Sequence, residues 1–417
     1  MLSFYQKHMR TLALIAVFTL LTVLIAVINF GVLHNKAENR QGISYAIAFT
    51  ENVTHRNIQT DADGVKALST GTETVREHIL TGLYAGNTVQ ASAILTTEMQ
   101  IAPHVGQFVV VSIDMDSHGI ATVLVDDAFR LPFWVGAVLL VSLLLCVIGQ
   151  RKGKRSLAAL VFNLACVFGI FVPLVFRGDD PLLWAMIIQI AVAGVTFGLM
   201  DGWTVKSLTA FLGTMGGTIV ACFLAILCGK CTALNGFALN NADSLVVIAQ
   251  STQMKVHHLL LAGVLLSSFG AVMDIAMSVT AAVGELHAHN SDLPAKGLFL
   301  AGMRVGHDMM GTMANTLLLA FAGASITTLL MLYSYLVPIG QAANGRILEF
   351  SPTINQVPLW VLLNNNLVGT ELMEGITGTA AIILTVPLVA GISAKLLPLW
   401  MRMHPFQTKE EQSINSK

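Results

Sequence analysis

Residues 256–283 form one apolar run, VHHLLLAGVLLSSFGAVMDIAMSVTAAV, in which Asp274 is the only carboxylate. An α-helix rises 1.5 Å per residue, so about 20 apolar residues cross the hydrocarbon core of a bilayer. A carboxylate inside such a run costs roughly 2.5–3.5 kcal/mol on insertion scales, and it faces a bundle interior, water or a partner. The run therefore demands a membrane fold and makes Asp274 the first residue to examine for function. Composition agrees: of 417 residues, 54% are hydrophobic and only 11% are charged, against about 25% charged in a soluble domain. The net charge is -1. With no basic tract carrying interleaved aromatics, no nucleic-acid partner is expected.

The hydropathy pattern predicts a mainly α fold: a polytopic helical membrane bundle of about eight spans with a small extracytoplasmic β domain. The spans are expected near 11–33, 131–149, 156–176, 182–200, 204–228, 257–282, 309–336 and 375–400. The first run follows Lys7 and Arg10 and exceeds the 7–15 residues of a signal-peptide core, so it reads as an uncleaved anchor. The basic loop Gln150-Arg-Lys-Gly-Lys-Arg-Ser156 marks a cytoplasmic connection, and Lys7, Arg10, Lys206, Arg402 and Lys409 fall on the same side. An even span count then leaves both termini in the cytoplasm. The expected domains are 1–33 (N-terminus and first helix), 34–130 (outer β domain), 131–400 (seven-helix bundle) and 401–417 (cytoplasmic tail).

Within 34–130, Thr88–Thr96, Gln107–Asp114 and Gly119–Val125 alternate in hydropathy as strands do, with Asp116-Ser-His-Gly119 as a hairpin turn. A small antiparallel, barrel-like domain is expected there, placed to bind a protein partner.

From Arg130 onward the chain resembles the YibE/F family of bacterial multi-pass membrane proteins. The resemblance rests on GAVMDIAMSVTAAVGELH (Gly270–His287) and GMRVGHDMMGTMANTLLLAFAG (Gly302–Gly323), with Lys206–Gly217, Thr370-Glu-Leu372 and Leu384-Thr-Val-Pro387 also fitting. An N-terminal β region before the bundle resembles the longer, YibE-like type. His307 departs from the pattern, which more often has Arg. The resemblance implies a bacterial cell membrane location and names no reaction.

Three late helices carry polar stripes at helical spacing. They are Ser267, Gly270, Asp274 and Ser278; then Asp308, Thr312 and Asn315; then Glu374, Thr377, Gly378, Ala381 and Thr385. One reading is a polar seam that passes an ion or small solute, with Asp274, Ser278, Asp308, Thr312, Asn315, Glu371 and Glu374 in its pathway. The other is glue between helices, at around 0.6 kcal/mol per side-chain bond, and Arg304 stands four residues before Asp308 as a ready ion-pair partner. Gly213-x-x-x-Gly217 is a close-packing face.

Cys228 and Cys231 (CGKC) read either as a local disulfide or as two thiols; a zinc site there would need His257 and His258 as well. Glu285, His287 and His289 read as a solvated connector. No P-loop, GxSxG elbow or HExxH is present, so neither an enzyme nor a cofactor is expected. The sequence expectation is a transporter or channel-like permease; the alternative is a non-transporting assembly or accessory protein whose outer domain binds a partner.

Overall fold

The computed structural model describes residues 43–60, 69–95, 102–115, 121–202, 204–234, 242–252, 254–330, 342–343, 346–347, 360–361 and 364–403. The run expected at 11–33, the hairpin turn at 116–119 and the tail beyond 403 lie outside these residues. The described residues fall into two compact units, one ending at Ile148 and including 342–343 and 346–347, the other starting at Gly149 and including 360–361 and 364–403.

The first unit is built on five strands: β1 Ile43–Thr60, β2 Ser69–Ile79, β3 Thr88–Leu95, β4 Phe108–Met115 and β5 Ala121–Ala128. They close into a barrel in the order β1-β2-β3-β5-β4. The expectation of a purely antiparallel domain is corrected at one seam: β3 and β5 run parallel, with Ser92 opposite Leu124 and Ala93 opposite Val125. The long β1 pairs with β4 through Ile43–Phe49 and with β2 through Ala48–Thr60. This is the five-stranded Greek-key order of an OB-type barrel. Alternation fills its interior with Ala46, Ala48, Val75, Ala91, Ala93, Val109, Val111 and Ile113. Two carboxylates join them, Glu73 and Glu77, both fully buried. Glu73 accepts from Arg56 Nε at 2.8 Å and Glu77 from the Thr50 hydroxyl at 2.7 Å.

Helix α1, Leu131–Cys166, is broken at Gln150, whose φ of 47° and ψ of -123° lie outside helical space. The break falls between the predicted spans 131–149 and 156–176, and the basic residues Arg151–Arg155 are helical rather than looped. Arg155 donates to the Met200 carbonyl at 3.4 Å, satisfying the end of a neighbouring helix. A π-helical turn, Val167–Phe171, leads into α2, Val172–Phe176.

The remaining helices are α3 Pro181–Met200, α4 Val205–Thr232, α5 Ala242–Thr252, α6 Val256–His289, α7 Ala295–Ala324 and α8 Asn366–Met403. Among the described residues, five helices are long and apolar enough to cross a membrane: Leu131–Phe176, Pro181–Met200, Val205–Thr232, Val256–His289 and Asn366–Leu399. Eight were expected. Two of the expected spans fall in the first of these five; the expected span 11–33 and the end of the expected span 309–336 lie outside the described residues, and the described part of α7 carries Arg304, His307, Asp308 and Asn315 among its apolar residues.

Helix α8 lies against α4, α6 and α7, while α6 lies against α3, α4, α7 and α8. Glycines set these approaches. A Cβ on Gly213 would meet Val389 at 2.7 Å, and one on Gly217 would meet Val272 at 2.7 Å. The small-residue face read from Gly213-x-x-x-Gly217 is thus where α4 meets α6 and α8.

Candidate functional site: the polar faces of α6, α7 and α8

Helix α6 buries Leu265, Val272, Ile275, Ala276, Val279 and Val283 in the main core. Its opposite face carries Gly263, Ser267, Gly270, Asp274 and Ala281, all exposed, with Ser278 half-buried beside them. The other helices of the unit long and apolar enough to cross a membrane present large apolar side chains outward: Leu183, Ile187 and Ile190 on α3; Leu212, Ile219 and Phe223 on α4; Ile376, Ile383 and Leu388 on α8. Between Val256 and Glu285, α6 exposes none of that kind among the described residues. Asp274 has no hydrogen-bond or ion-pair partner among them either.

Helix α7 follows the same rule. Leu298, Gly302 and Gly306 are its buried residues. A Cβ on Gly302 would lie 2.9 Å from Val283 and 3.1 Å from Ala390, and Gly306 packs on Val386. Asp308, Thr312 and Asn315 are exposed, on the side away from those glycines. Arg304 shares that side, yet it makes no ion pair with Asp308 among the described residues. Thr312 only back-bonds to the Met309 carbonyl, at 2.9 Å.

Helix α8 turns its carboxylates the other way. Glu371 and Glu374, one turn apart, are half-buried and share the face of buried Thr377, Gly378, Ala381 and Thr385. Glu371 accepts a hydrogen bond from Ser325, just past the end of α7. A Cβ on Gly378 would meet Leu317 at 2.9 Å and Ser268 of α6 at 3.5 Å. The Thr377 and Thr379 hydroxyls are buried without partners among the described residues.

The structure therefore brings Glu371 and Glu374 together and leaves Asp274 and Asp308 apart from them. Thr280 and Ser393, buried, share a hydrogen bond at 3.2 Å and fix the relative depth of α6 and α8. Asp274 lies level with Pro387 on that scale, 13 residues beyond Glu374, or about 20 Å of helix. At Asp274's depth Ile275, Ala276, Ile382, Val386 and Val389 are fully buried, together with Thr385, whose hydroxyl donates back to the Ala381 carbonyl at 2.7 Å.

Other polar contacts are structural. At one end of the unit, Asp180 accepts from the Leu182 amide at 3.1 Å and from Lys255 at 3.2 Å, with His258 Nδ1 2.8 Å from both carboxylate oxygens. An ionised carboxylate only accepts, so Nδ1 carries the proton. Burial alone would raise Asp180, but His258, Lys255 and the Leu182 amide outweigh it and hold the carboxyl below its usual range. The sequence pointed to His258 only as a zinc ligand; its partner 78 positions away carried no local signal. Cys228 and Cys231 are free thiols, and no group of three metal-type ligands occurs among the described residues. Glu285 pairs with Lys206 at 2.9 Å, and His289 Nδ1 donates to the Glu285 carbonyl at 2.9 Å. Sequence reading also missed Gln189, buried in α3 with neither amide atom bonded among the described residues.

No curated protein and no solved structure matches the chain. The family model described as YibE/F-like protein matches residues 137–351. That match takes in the Asp274 and Asp308 segments and ends before Glu371. Covering more than half of the sequence, it establishes that this chain belongs to the YibE/F-like family.

Proposed function

We propose that this protein is a membrane-embedded assembly component, held in the bacterial cell membrane with both termini in the cytoplasm, that works by binding other protein within the bilayer. One observation supports this reading above the rest: α6 turns Ser267, Gly270 and Asp274 outward where its neighbours turn Leu, Ile and Phe. Lipid solvates the second set and not the first. Small and hydroxyl side chains let another helix approach closely, and Asp274 supplies an acceptor that a partner's donor satisfies. The test is native mass spectrometry of the full chain extracted with its lipids. The expected result is a complex of at least two polypeptides, reduced toward single chains by Asp274→Leu. A single chain in both cases, together with proton or cation flux in proteoliposomes that Asp274→Asn abolishes, sinks the assembly reading.

A second reading, ion or solute permeation, is favoured by Glu371 and Glu374, which face inward with the Thr377 and Thr379 hydroxyls, unpartnered among the described residues, close by on the same helix. Flux that disappears in Glu374→Gln while folding is unchanged supports it; flux untouched by that change removes the pair from any pathway.

A further inference from the structure

Helices α6 and α7 run antiparallel side by side, and the Gly302–Val283 contact fixes their relative depth. Counting equal rises from that contact, Asp274 lies level with Gly311 and next to the level of Thr312. Gly270 lies level with Asn315, and Asp308 lies level with Met277, next to Ser278. Each outward carboxylate on one helix thus has a hydrogen-bond donor at its own depth on the outward face of the other. Within one chain these groups do not meet, because both faces point away from the buried residues of α6 and α7.

We infer that the two faces are covered by a second copy of this chain, in a two-fold dimer where α6 of each copy packs against α7 of the other. This rests on the assembly reading above. A two-fold axis along the membrane normal preserves depth, so levels matched within one chain are matched between copies. Asp274 then meets Thr312 and Asn315 of the second copy, and Asp308 meets Ser278 of the second copy. Gly263, Gly270, Ala281 and Gly311 allow the backbones to approach. The like-with-like alternative, α6 on α6, sets Asp274 against Asp274, two like charges at one depth. The apolar stretch Thr11–Leu33 of the same chain consists mainly of Leu, Ile, Val and Thr. It carries donors of its own, Thr19, Thr22 and Asn29, so it is the rival occupant that the crosslinks below distinguish from a second copy.

The experiment is disulfide trapping in native membranes, with the five native cysteines replaced. Two differently tagged full-length chains are co-expressed, one carrying Gly270→Cys and the other Asn315→Cys. A lipid-soluble oxidant should give a dimer-sized band holding both tags, several-fold stronger than that from Gly270→Cys with Arg304→Cys. The Arg304 position lies 11 residues from the matched level, about 16 Å along the helix. Subunit counting by single-molecule photobleaching of the unsubstituted sequence in lipid discs should give two. Absence of the matched band with a count of one overturns the proposal, as does a Gly270→Cys self-crosslink stronger than the matched band. A monomer-sized crosslink from Gly270→Cys to a cysteine placed in 11–33 also overturns it. A stable complex with a different polypeptide and no self-crosslink overturns the dimer while leaving the assembly reading standing. Single chains with carboxylate-dependent flux remove both.

Discussion

Asp180 and His258 are joined at 2.8 Å across 78 positions of sequence, tying the start of α3 to the start of α6. Asp180 also accepts from the Leu182 amide at the first turn of α3, so one carboxylate caps a helix and clamps two helix ends. The two roles separate by substitution. Asp180→Ala removes both and should lower stability by about 0.5–2 kcal/mol. Asp180→Asn keeps the cap and loses the charge, so its deficit should be smaller. Because the folded-state carboxyl is held below its usual value, its contribution is present above the unfolded value and lost as pH falls through the folded one. Thermal unfolding of the full chain from pH 7 down to pH 3 should show a shallower acid loss in Asp180→Asn than in the unsubstituted protein. Equal acid slopes would remove this charge from the account.

Glu77 predicts the opposite pH trend in the barrel. Burial raises its carboxyl; the Thr50 hydrogen bond partly offsets this and Glu51 reinforces it, so that Glu77 is pushed up to about 7. A carboxyl raised above its unfolded value near 4.5 gives stability that is fully present below pH 4.5 and is lost as pH rises toward 7. The loss amounts to about 3 kcal/mol at most. Residues 36–128 enclose all of the barrel's own buried core, so that segment produced alone should fold and show β-type circular dichroism. Its melting temperature should fall between pH 5 and pH 8, and Glu77→Gln should flatten the fall. A pH-independent melt in both forms would count against the buried titration.

Glycine contacts predict where the helical unit tolerates no side chain. Gly306 rests on Val386 and Gly217 on Val272 and Thr385. Gly306→Val and Gly217→Val should each cost about 1–3 kcal/mol or more through overpacking. Gly391 has nothing within 4 Å of an added Cβ, so Gly391→Ala should be neutral or slightly stabilising through helix propensity. Detergent-resistance melts of the three variants decide the matter; equal losses would deny the close approach of α7 to α8.

Gln189 predicts a stabilising change. It is 1% exposed and neither amide atom is bonded among the described residues. An unsatisfied buried amide costs about 1–3 kcal/mol. Gln189→Met keeps the length and removes the polar atoms, so it should raise the melting temperature, while Gln189→Ala should lower it by leaving a cavity. A loss in Gln189→Met comparable to that in Gln189→Ala would show that the amide has a partner.

Much of this architecture was readable in the linear sequence. The apolar runs predicted helices long and apolar enough to cross a membrane, of which the described residues show five against the eight expected, and alternation in Gln107–Val125 predicted strands that form β4 and β5. The spacing of Ser267, Gly270, Asp274 and Ser278 predicted that they share a face. Periodicity fixes such things because each depends only on the rise and turn of one element. It carries no information about the element's neighbours. Asp274 and Glu374 look alike in sequence, each a carboxylate in an apolar helix with small residues at helical spacing. Only the packing of α6 and α8 decided that the first points away from the core and the second toward it. The parallel β3–β5 seam, the burial of Glu73 and Glu77 inside the barrel, and the Asp180–His258 clamp were decided the same way. Each is a contact between segments far apart along the chain, set by shape and by the cost of leaving polar groups unsatisfied, and no local pattern encodes which distant segment will meet that cost.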